Sequence, residues 1–169
     1  ISRRDKFEYY LKNIIYKYSN KNINIDIDYL INKYSKIVKK ELLKCEIAKD
    51  IELLGNKCKD KSVLVVSGSD QSELRYVFKK RGIEYLFPNG IFGSPDDKKS
   101  ILKRELEIKN IVMPALFFGD SKYDYESANL FNIDFLFINK WTEVSEWELW
   151  CKEKEISFKA SISEFIKFL

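Results

Sequence analysis

The chain has 169 residues, of which 45% are hydrophobic and 15% aromatic, so it can bury a full core as one domain with room for a small second unit. Its 30 basic and 26 acidic side chains leave a net charge of +4 that is spread along the chain, which argues against a nucleic-acid-binding protein. The absence of histidine excludes Ser-His-Asp triads and His-ligated zinc, and no apolar run approaches the roughly 20 residues that cross a membrane.

The first third of the chain predicts two amphipathic helices. Apolar residues recur at helical spacing between Phe7 and Tyr18, and again between Leu30 and Cys45. The polar stretch "SNKN" between these segments predicts an antiparallel helical hairpin. A third, short helix is expected to reach Leu54, and the polar break "GNKCKDK" follows it.

After that break, strand patterns alternate with helix patterns. The apolar strands are "SVLVVSGSD", "PALFFGDS", "IDFLFI" and "ISFKA", and "EYLFPNGIFGSP" predicts two short extended pieces around a turn. Helices are expected at 71–80, 96–107, up to 128, at 141–152 and at the end of the chain. Apolar runs this continuous indicate an α/β fold with a parallel sheet that helices cover on both sides.

The strand "VLVV" ends at Ser67, and the backbone N–H groups of "GSD" follow it as a possible anion site. A hydroxyl there can donate to a phosphoryl oxygen. Taken alone, helix capping by Ser67, Ser69 and Asp70 is the better interpretation of this stretch.

The stretch "FGSPDDKKSIL" predicts Ser94 as an N-cap, Pro95 at the first helical position and Lys98 in the first turn. A cation is unfavourable at a helix N-terminus, so an anion in front of Lys98 would explain its position. A solvated surface lysine is the alternative, and the neighbouring Lys99 does not decide between them.

The stretch "LFFGDSKYDYESA" places Asp120 at a strand exit and Asp124 one helical turn later on the same face. Two carboxylates that converge repel each other unless a cation lies between them. The pair therefore predicts a site for magnesium, which prefers oxygen ligands. The alternative is that Asp120 caps the helix and Asp124 is solvated.

Together these stretches resemble three motifs of the haloacid dehalogenase (HAD) superfamily, in particular its phosphoglycolate phosphatase-like members. "VLVVSGSDQSEL" is similar to the second motif, "FGSPDDK" to the third and "FFGDSKYDYESA" to the fourth. The leading helices, with "ISRRDKFEYYL", resemble the helical cap of that subfamily. The resemblance implies a Rossmann-like three-layer core at 57–169 and a partial cap at 1–56.

The resemblance also implies a cytoplasmic, magnesium-dependent phosphatase of a small phosphorylated metabolite, which acts through an aspartyl-phosphate. Ser67, Gly68 and Lys98 would bind the phosphoryl group. Asp120 would hold Mg²⁺, and Asp124 would orient Lys98 or support the metal. Three scattered cysteines agree with a reducing cytoplasm.

Arg3, Arg4 and Lys6 in the cap segment are candidates to face an anionic substrate, although solvated helix charge is the better interpretation of all three. The family's nucleophile belongs to a first motif, D-x-D-x-T/V, on a central strand before the cap. "NINIDIDYLI" contains Asp26 and Asp28, but it lies between two helices and is better interpreted as a helix N-cap.

The first central strand is therefore missing from the pattern. The strands that end at Ser67 and Asp120 should then lack a neighbour, and unpaired buried backbone groups are unfavourable. We expect a substitute: a separate complementing N-terminal segment, a swapped segment or direct pairing of the two strands. Two other functions stay open, a non-catalytic remnant that binds a phosphorylated ligand or partner, and a sugar-phosphate phosphomutase.

Overall fold

The computed structural model describes residues 3–18 and 25–168 of the chain. Within these ranges, no helix is both long and apolar enough to cross a membrane.

Two packed helical segments form the first part of the structure. Helix α1 (Arg3–Tyr10) continues through a π-helical turn (Leu11–Ile15) into α2 (Tyr16–Tyr18), and α3 spans Ile27–Leu42. The ring of Phe7 in α1 meets the ring of Tyr34 in α3 edge-on, with 5.7 Å between the centroids. Both predicted helices are confirmed, whereas the "SNKN" connection lies outside the described residues.

Asp26 begins α3 as its N-cap. Its carboxylate accepts a hydrogen bond from the backbone N–H of Asp28 at 2.8 Å, which satisfies one of the unpaired donors of the first turn. The interpretation of this stretch as a helix start is confirmed.

The remaining described residues alternate between helices and strands. In chain order these are α4 (Ile51–Lys57), β1 (Val65–Asp70), α5 (Gln71–Lys80), a 3-10 turn (Glu84–Leu86), β2 (Ile91–Ser94), α6 (Lys98–Glu107), β3 (Leu116–Gly119), α7 (Lys122–Asn129), β4 (Asp134–Ile138), a 3-10 turn (Asn139–Trp141), α8 (Trp147–Glu153), β5 (Phe158–Lys159) and α9 (Ile162–Ile166).

The strands form two parallel sheets. β1 pairs with β2, with Val66 opposite Phe92, while β3, β4 and β5 form a second sheet in that order, with Phe117 opposite Phe135. Successive side chains of a strand point to opposite faces. Phe117 accordingly packs on the α6 and α7 side, and the next residue, Phe118, contacts Phe165 of α9 on the other side. The predicted α/β fold, with a parallel sheet between helical layers, is confirmed.

The core of the described residues contains two clusters of buried side chains. The first contains Leu102, Ile111, Ala128 and Ile133, and residues at β1 and β3 pack on it. The second is aromatic, with Phe137 fully buried and its ring 5.5 Å from that of Trp150.

β1 and β3 do not pair with each other. In the described part of the chain, β1 bonds only to β2 and β3 only to β4, so direct pairing, one of the three expected substitutes, is wrong. Val66 and Phe117 instead pack against the same core cluster, so both strands contact the core although no hydrogen bond joins them.

Three local predictions are also wrong. Ser94 does not cap a helix, because it is the last residue of β2 and lies opposite Asp70 of β1; Asp97 caps α6 instead by accepting from the N–H of Ser100 at 2.8 Å. The first extended piece expected in "EYLFPNGIFGSP" is a 3-10 turn. The helix expected from Trp141 begins only at Trp147.

An ion pair joins the helical part to the α/β part. The Arg3 guanidinium donates to both carboxylate oxygens of Glu73 in α5 at 2.8 and 3.0 Å, and to Ser35 Oγ of α3 at 2.9 Å. Helix α4 packs against α9 and the Glu84–Leu86 turn, and the predicted domain boundary at residues 56 and 57 falls inside it. That boundary stays a prediction.

Candidate functional site

Lys98 and Asp124 meet at the carboxyl edge of the sheets. Lys98 is the first residue of α6, which follows β2, and Asp124 lies in the first turn of α7, which follows β3. The Lys98 ammonium donates to Asp124 Oδ1 in an ion pair whose side chains are 16% and 3% exposed. This carboxylate supplies the anion that a lysine at a helix N-terminus requires.

The local backbone fixes Asp124 in place. Ser121 caps α7 by accepting from the Asp124 N–H at 3.2 Å, and its hydroxyl donates to Asp124 Oδ2 at 2.7 Å. Gly119 lies directly beneath: a Cβ there would stand 2.4 Å from the Cβ of Asp124. Only glycine leaves room for the carboxylate at this strand exit. Both oxygens of Asp124 therefore have a partner in the protein.

Asp120 follows β3 and lies beside this pair. Its backbone carbonyl accepts a hydrogen bond from Thr142 Oγ1 at 2.6 Å, which joins the β3 exit to the segment after β4. The residue is exposed, yet partial burial of its carboxyl group and the nearby charge of Asp124 raise its pKa. A carboxylate that is costly to ionise in the free protein is suited to a cation or a hydrogen-bond donor.

Ser67 and Gly68 lie in β1, which pairs with β2, the strand that leads to Lys98. The Ser67 hydroxyl accepts from the N–H of Ser69 at 3.1 Å, and Asp70 caps α5 by accepting from the N–H of Glu73 at 2.9 Å. The capping role expected of Asp70 is confirmed, whereas Ser67 and Ser69 lie in β1 and do not cap α5. Within the described residues, no hydrogen bond connects Ser67 to the Lys98–Asp124 pair. The structure thus brings Lys98, Asp120 and Asp124 together, and leaves Ser67 without a hydrogen bond to them in this part of the chain.

The three basic candidates of α1 lie apart from this pair. Arg3 is bonded to Glu73, and Arg4 forms an ion pair with Asp28 of α3. Lys6 is exposed. Their proposed contact with a substrate stays a prediction.

Sequence reasoning missed Ser121 and Thr142. Ser121 could have been found, because a serine followed three residues later by an acidic residue at a strand-to-helix turn is the pattern of an N-cap. Thr142 carries no such signal, since its contact with Asp120 depends on how two strand exits lie side by side.

The described residues contain no group of three or more Cys, Asp or Glu side chains that could by itself hold a metal ion. Asp120 is therefore the candidate oxygen ligand, because both oxygens of Asp124 are engaged with Lys98 and Ser121. A cavity of about 430 Å³ lies elsewhere, among residues that include Leu116, Ile133 and Ser157. None of the four proposed site residues lines this cavity, so it is not part of the candidate site.

No protein-family model matches the chain, and no curated protein does. Solved structures do. A crystal structure of a protein from Clostridium difficile, assigned as a phosphatase, has a TM-score of 0.68 at 18% identity, over 96% of this chain and 76% of that one. A haloacid dehalogenase-like hydrolase from Streptococcus pneumoniae has a TM-score of 0.66 at 20% identity, over 98% and 80%.

A HAD-superfamily hydrolase from Ehrlichia chaffeensis has a TM-score of 0.56 at 17% identity, over 97% of this chain and 86% of that one. At these identities the likeness is one of fold. The chain therefore has a HAD-like fold, as its motifs predicted, and the subfamily stays a prediction.

Proposed function

We propose that this chain, with its HAD-like fold, forms most of a phosphatase site for a small phosphate monoester. The observation that supports the proposal best is the contact of Lys98, Asp120 and Asp124 at the carboxyl edge of a parallel sheet. Ligands of open parallel sheets bind at this edge. A lysine held by a buried carboxylate and a second carboxylate beside it form a polarised site that suits a phosphoryl group with a counter-ion.

Each side chain has a distinct task in this proposal. Lys98 binds an oxygen of the transferring phosphoryl group, and Asp124 holds the ammonium in position. Asp124 is 2% exposed and cannot follow the ligand, so it acts as a positioning residue. Ser67 and the N–H of Gly68 bind further phosphoryl oxygens from the β1 side.

The site residues fit magnesium as a weakly held ion. Mg²⁺ is bound in phosphoryl-transfer sites by one or two carboxylates together with water and substrate oxygens. Asp120 supplies one such carboxylate, and its pKa is raised by burial and by the charge of Asp124, even though the Lys98 ammonium acts in the opposite direction. When bound, the ion would neutralise charge on the phosphoryl oxygens.

The nucleophile in the proposal is a carboxylate from outside the described residues. Its oxygen attacks phosphorus as the ester P–O bond breaks, and the alcohol leaves after gaining a proton from solvent. Water then attacks the acyl-phosphate, which releases inorganic phosphate and a proton and restores the carboxylate. Lys98 and Ser67 stabilise the phosphoryl charge in both steps.

A second candidate function, binding of a phosphorylated ligand without catalysis, follows from the lack of a nucleophile among the described residues. Asp26 caps a helix of the helical part, and no third carboxylate joins the described cluster. The chain alone could then bind a phosphorylated ligand without turnover.

The test uses p-nitrophenyl phosphate and Mg²⁺ with two proteins: the chain itself, and the chain extended ahead of residue 1 by an apolar segment that ends in aspartate. We expect turnover by the extended chain, its loss in Asp120→Asn, and no loss in Asp134→Asn, which changes an exposed aspartate at the start of β4. Phosphate binding without turnover in either protein would favour the binding function. No binding and no turnover would refute both.

A further inference from the structure

A notch separates the first half of β4 (134–136) from the segment 154–157 that leads into β5. The bonds between β4 and that segment begin where the N–H of Phe137 donates to the carbonyl of Ser157 at 3.0 Å, and they continue into β5. In a regular parallel ladder, the next bond back would join the N–H of Ser157 to the carbonyl of Phe135. Within the described residues this bond is not formed, so the two segments diverge at this point.

The backbone of Phe135 faces this notch. On the other edge of β4, the N–H of Asp134 donates to the carbonyl of Ala115, just ahead of β3, at 3.0 Å. Because the backbone groups of successive residues in a strand point to opposite edges, those of Phe135 point away from β3, as those of Phe137 do. In the described part of the chain, β5 pairs with β4 only beyond this point. The notch therefore presents an N–H donor and a C=O acceptor of one residue, with the N–H of Ser157 beside them.

The cavity of about 430 Å³ lies at this notch, where Phe135 and Ser157 both line it. Its other walls are mainly apolar, and a cavity of this size with a few converging polar groups suits a small ligand. The charged side chains of the lining are those of Asp134, Lys154 and Glu155, and all three residues are exposed. Two acidic groups and one basic group favour a neutral or weakly basic ligand over a phosphate.

Aromatic rings line the cavity on both faces of the sheet. The ring of Tyr125 meets that of Phe135 edge-on on the α7 side, with 5.7 Å between the centroids. The ring of Phe165 lies on the α9 side, where it contacts Phe118, the partner of Leu136 in the register of β3 and β4. A flat molecule bonded to the edge of β4 would lie in the plane of the sheet, with aromatic side chains toward each of its faces.

We propose that this notch binds a small, flat heterocycle whose edge carries a hydrogen-bond donor beside an acceptor, as in a lactam or an aminopyrimidine. The donor bonds to the carbonyl of Phe135 and the acceptor receives the N–H of the same residue, so the ligand satisfies backbone groups that no strand pairs with. The notch lies at the amino end of β4, whereas Lys98 and Asp124 lie at the carboxyl edge of the sheets. The inference needs no phosphate and no nucleophile, so it stands apart from the proposed phosphatase activity.

Two probes of the same shape test the hydrogen-bonding pattern. 7-Azaindole carries a ring N–H beside a nitrogen acceptor, whereas indole keeps the N–H and has carbon in place of that acceptor. Each probe is titrated into the full chain while the backbone amide resonances are followed by NMR. We expect saturable shifts at Phe135 and Ser157 with 7-azaindole. Binding of indole should be at least about fivefold weaker, because the N–H of Phe135 would then lack an acceptor.

Substitutions of two serines test the location of the ligand. Ser157→Trp places a large ring at the cavity and should abolish saturable binding of 7-azaindole. Ser145→Trp is the matched control, because Ser145 is exposed and does not line the cavity, and it should bind as the unsubstituted chain does. Ser157→Ala should also bind unchanged, since the backbone and not the hydroxyl provides the contact.

Equal affinity for the two probes would overturn the inference, because the donor and acceptor pair would then play no part. Shifts that map to other residues, or equal binding by the two tryptophan variants, would overturn it as well. If Ser157→Trp does not fold, the two probes on the unsubstituted chain decide the question, and a lack of saturable binding of 7-azaindole there refutes the site. These titrations contain neither phosphate nor Mg²⁺, so their failure and a failed phosphatase test are distinct results.

Discussion

Removal of the Lys98 ammonium should destabilise the protein because it leaves a buried charge without its partner. Asp124 has a side chain that is 3% exposed, and in Lys98→Met its carboxylate keeps only the hydrogen bond from Ser121 at 2.7 Å. Loss of one partner from a buried ion pair costs about 3–5 kcal/mol. Because the Lys98 side chain is 16% exposed at an open edge, we expect the low end, about 3 kcal/mol.

The coupling between the two residues can be measured directly. For a chain of this length, about 3 kcal/mol corresponds to a fall in melting temperature of about 6–12 °C. Asp124→Asn keeps a group of similar shape but removes the charge, so the double variant Lys98→Met/Asp124→Asn should recover much of the loss. Urea unfolding followed by tryptophan fluorescence gives the four free energies of unfolding for a double-mutant cycle.

Lys103→Met is the matched control, because Lys103 lies on the same helix with a side chain that is 67% exposed. Its pair with Glu107, at 3.9 Å, should contribute less than about 0.5 kcal/mol. If Lys98→Met costs no more than Lys103→Met, or if the two substitutions of the cycle are simply additive, the ion pair does not hold Asp124 and the reasoning is wrong.

Three further substitutions test the site and its surroundings. Gly119→Ala should cost about 1–3 kcal/mol in urea unfolding through overpacking, because its Cβ would overlap the side chain of Asp124. Gly68→Ala, with open space around it, should cost far less, and equal costs would contradict this. Asp120→Asn should raise the melting temperature at neutral pH, because burial raises the folded-state pKa of this carboxyl group and makes its ionised form unfavourable. The gain in melting temperature should vanish as pH falls below the ordinary pKa of aspartate. A lower melting temperature at neutral pH would refute this prediction. Burial alone would raise the pKa of Glu73, but hydrogen bonds with Arg3 and Ser35 lower it. Glu73→Gln should therefore cost about 1–3 kcal/mol of stability at neutral pH, and this cost should shrink as pH falls below about 4.5. A cost that is independent of pH would contradict the reasoning.

Local patterns in the sequence were enough to predict most elements of the fold. The helix at Gln71–Lys80 is predicted correctly, because an acidic N-cap marks its start and its apolar residues form one face. The start of α6 was misplaced, because Ser94 and Asp97 both have the chemistry of a cap, and the pairing of Ser94 with Asp70 across two strands decided between them. Sequence patterns contain no information on such a distant pairing.

The candidate site could be predicted only as far as the shared edge of the sheet. Because the carboxyl ends of parallel strands share one edge, the sequence predicts that Lys98 lies near Asp124. The hydrogen bond from Ser121 to Asp124, and the need for glycine at position 119, depend instead on atomic packing. The bond from Arg3 to Glu73 was not predictable, because it joins residues 70 positions apart through the docking of a helical hairpin on the core.

The affinity of the chain for inorganic phosphate, measured by titration calorimetry in the presence of Mg²⁺, tests the proposed site without any need for the nucleophile. We expect binding by the unsubstituted chain and by Lys103→Met, and at least about tenfold weaker binding by Lys98→Met, equivalent to the loss of about 1.4 kcal/mol of interaction with the phosphoryl charge. Equal affinity in all three proteins, or no binding in any, would show that the edge occupied by Lys98, Asp120 and Asp124 is not a phosphoryl site.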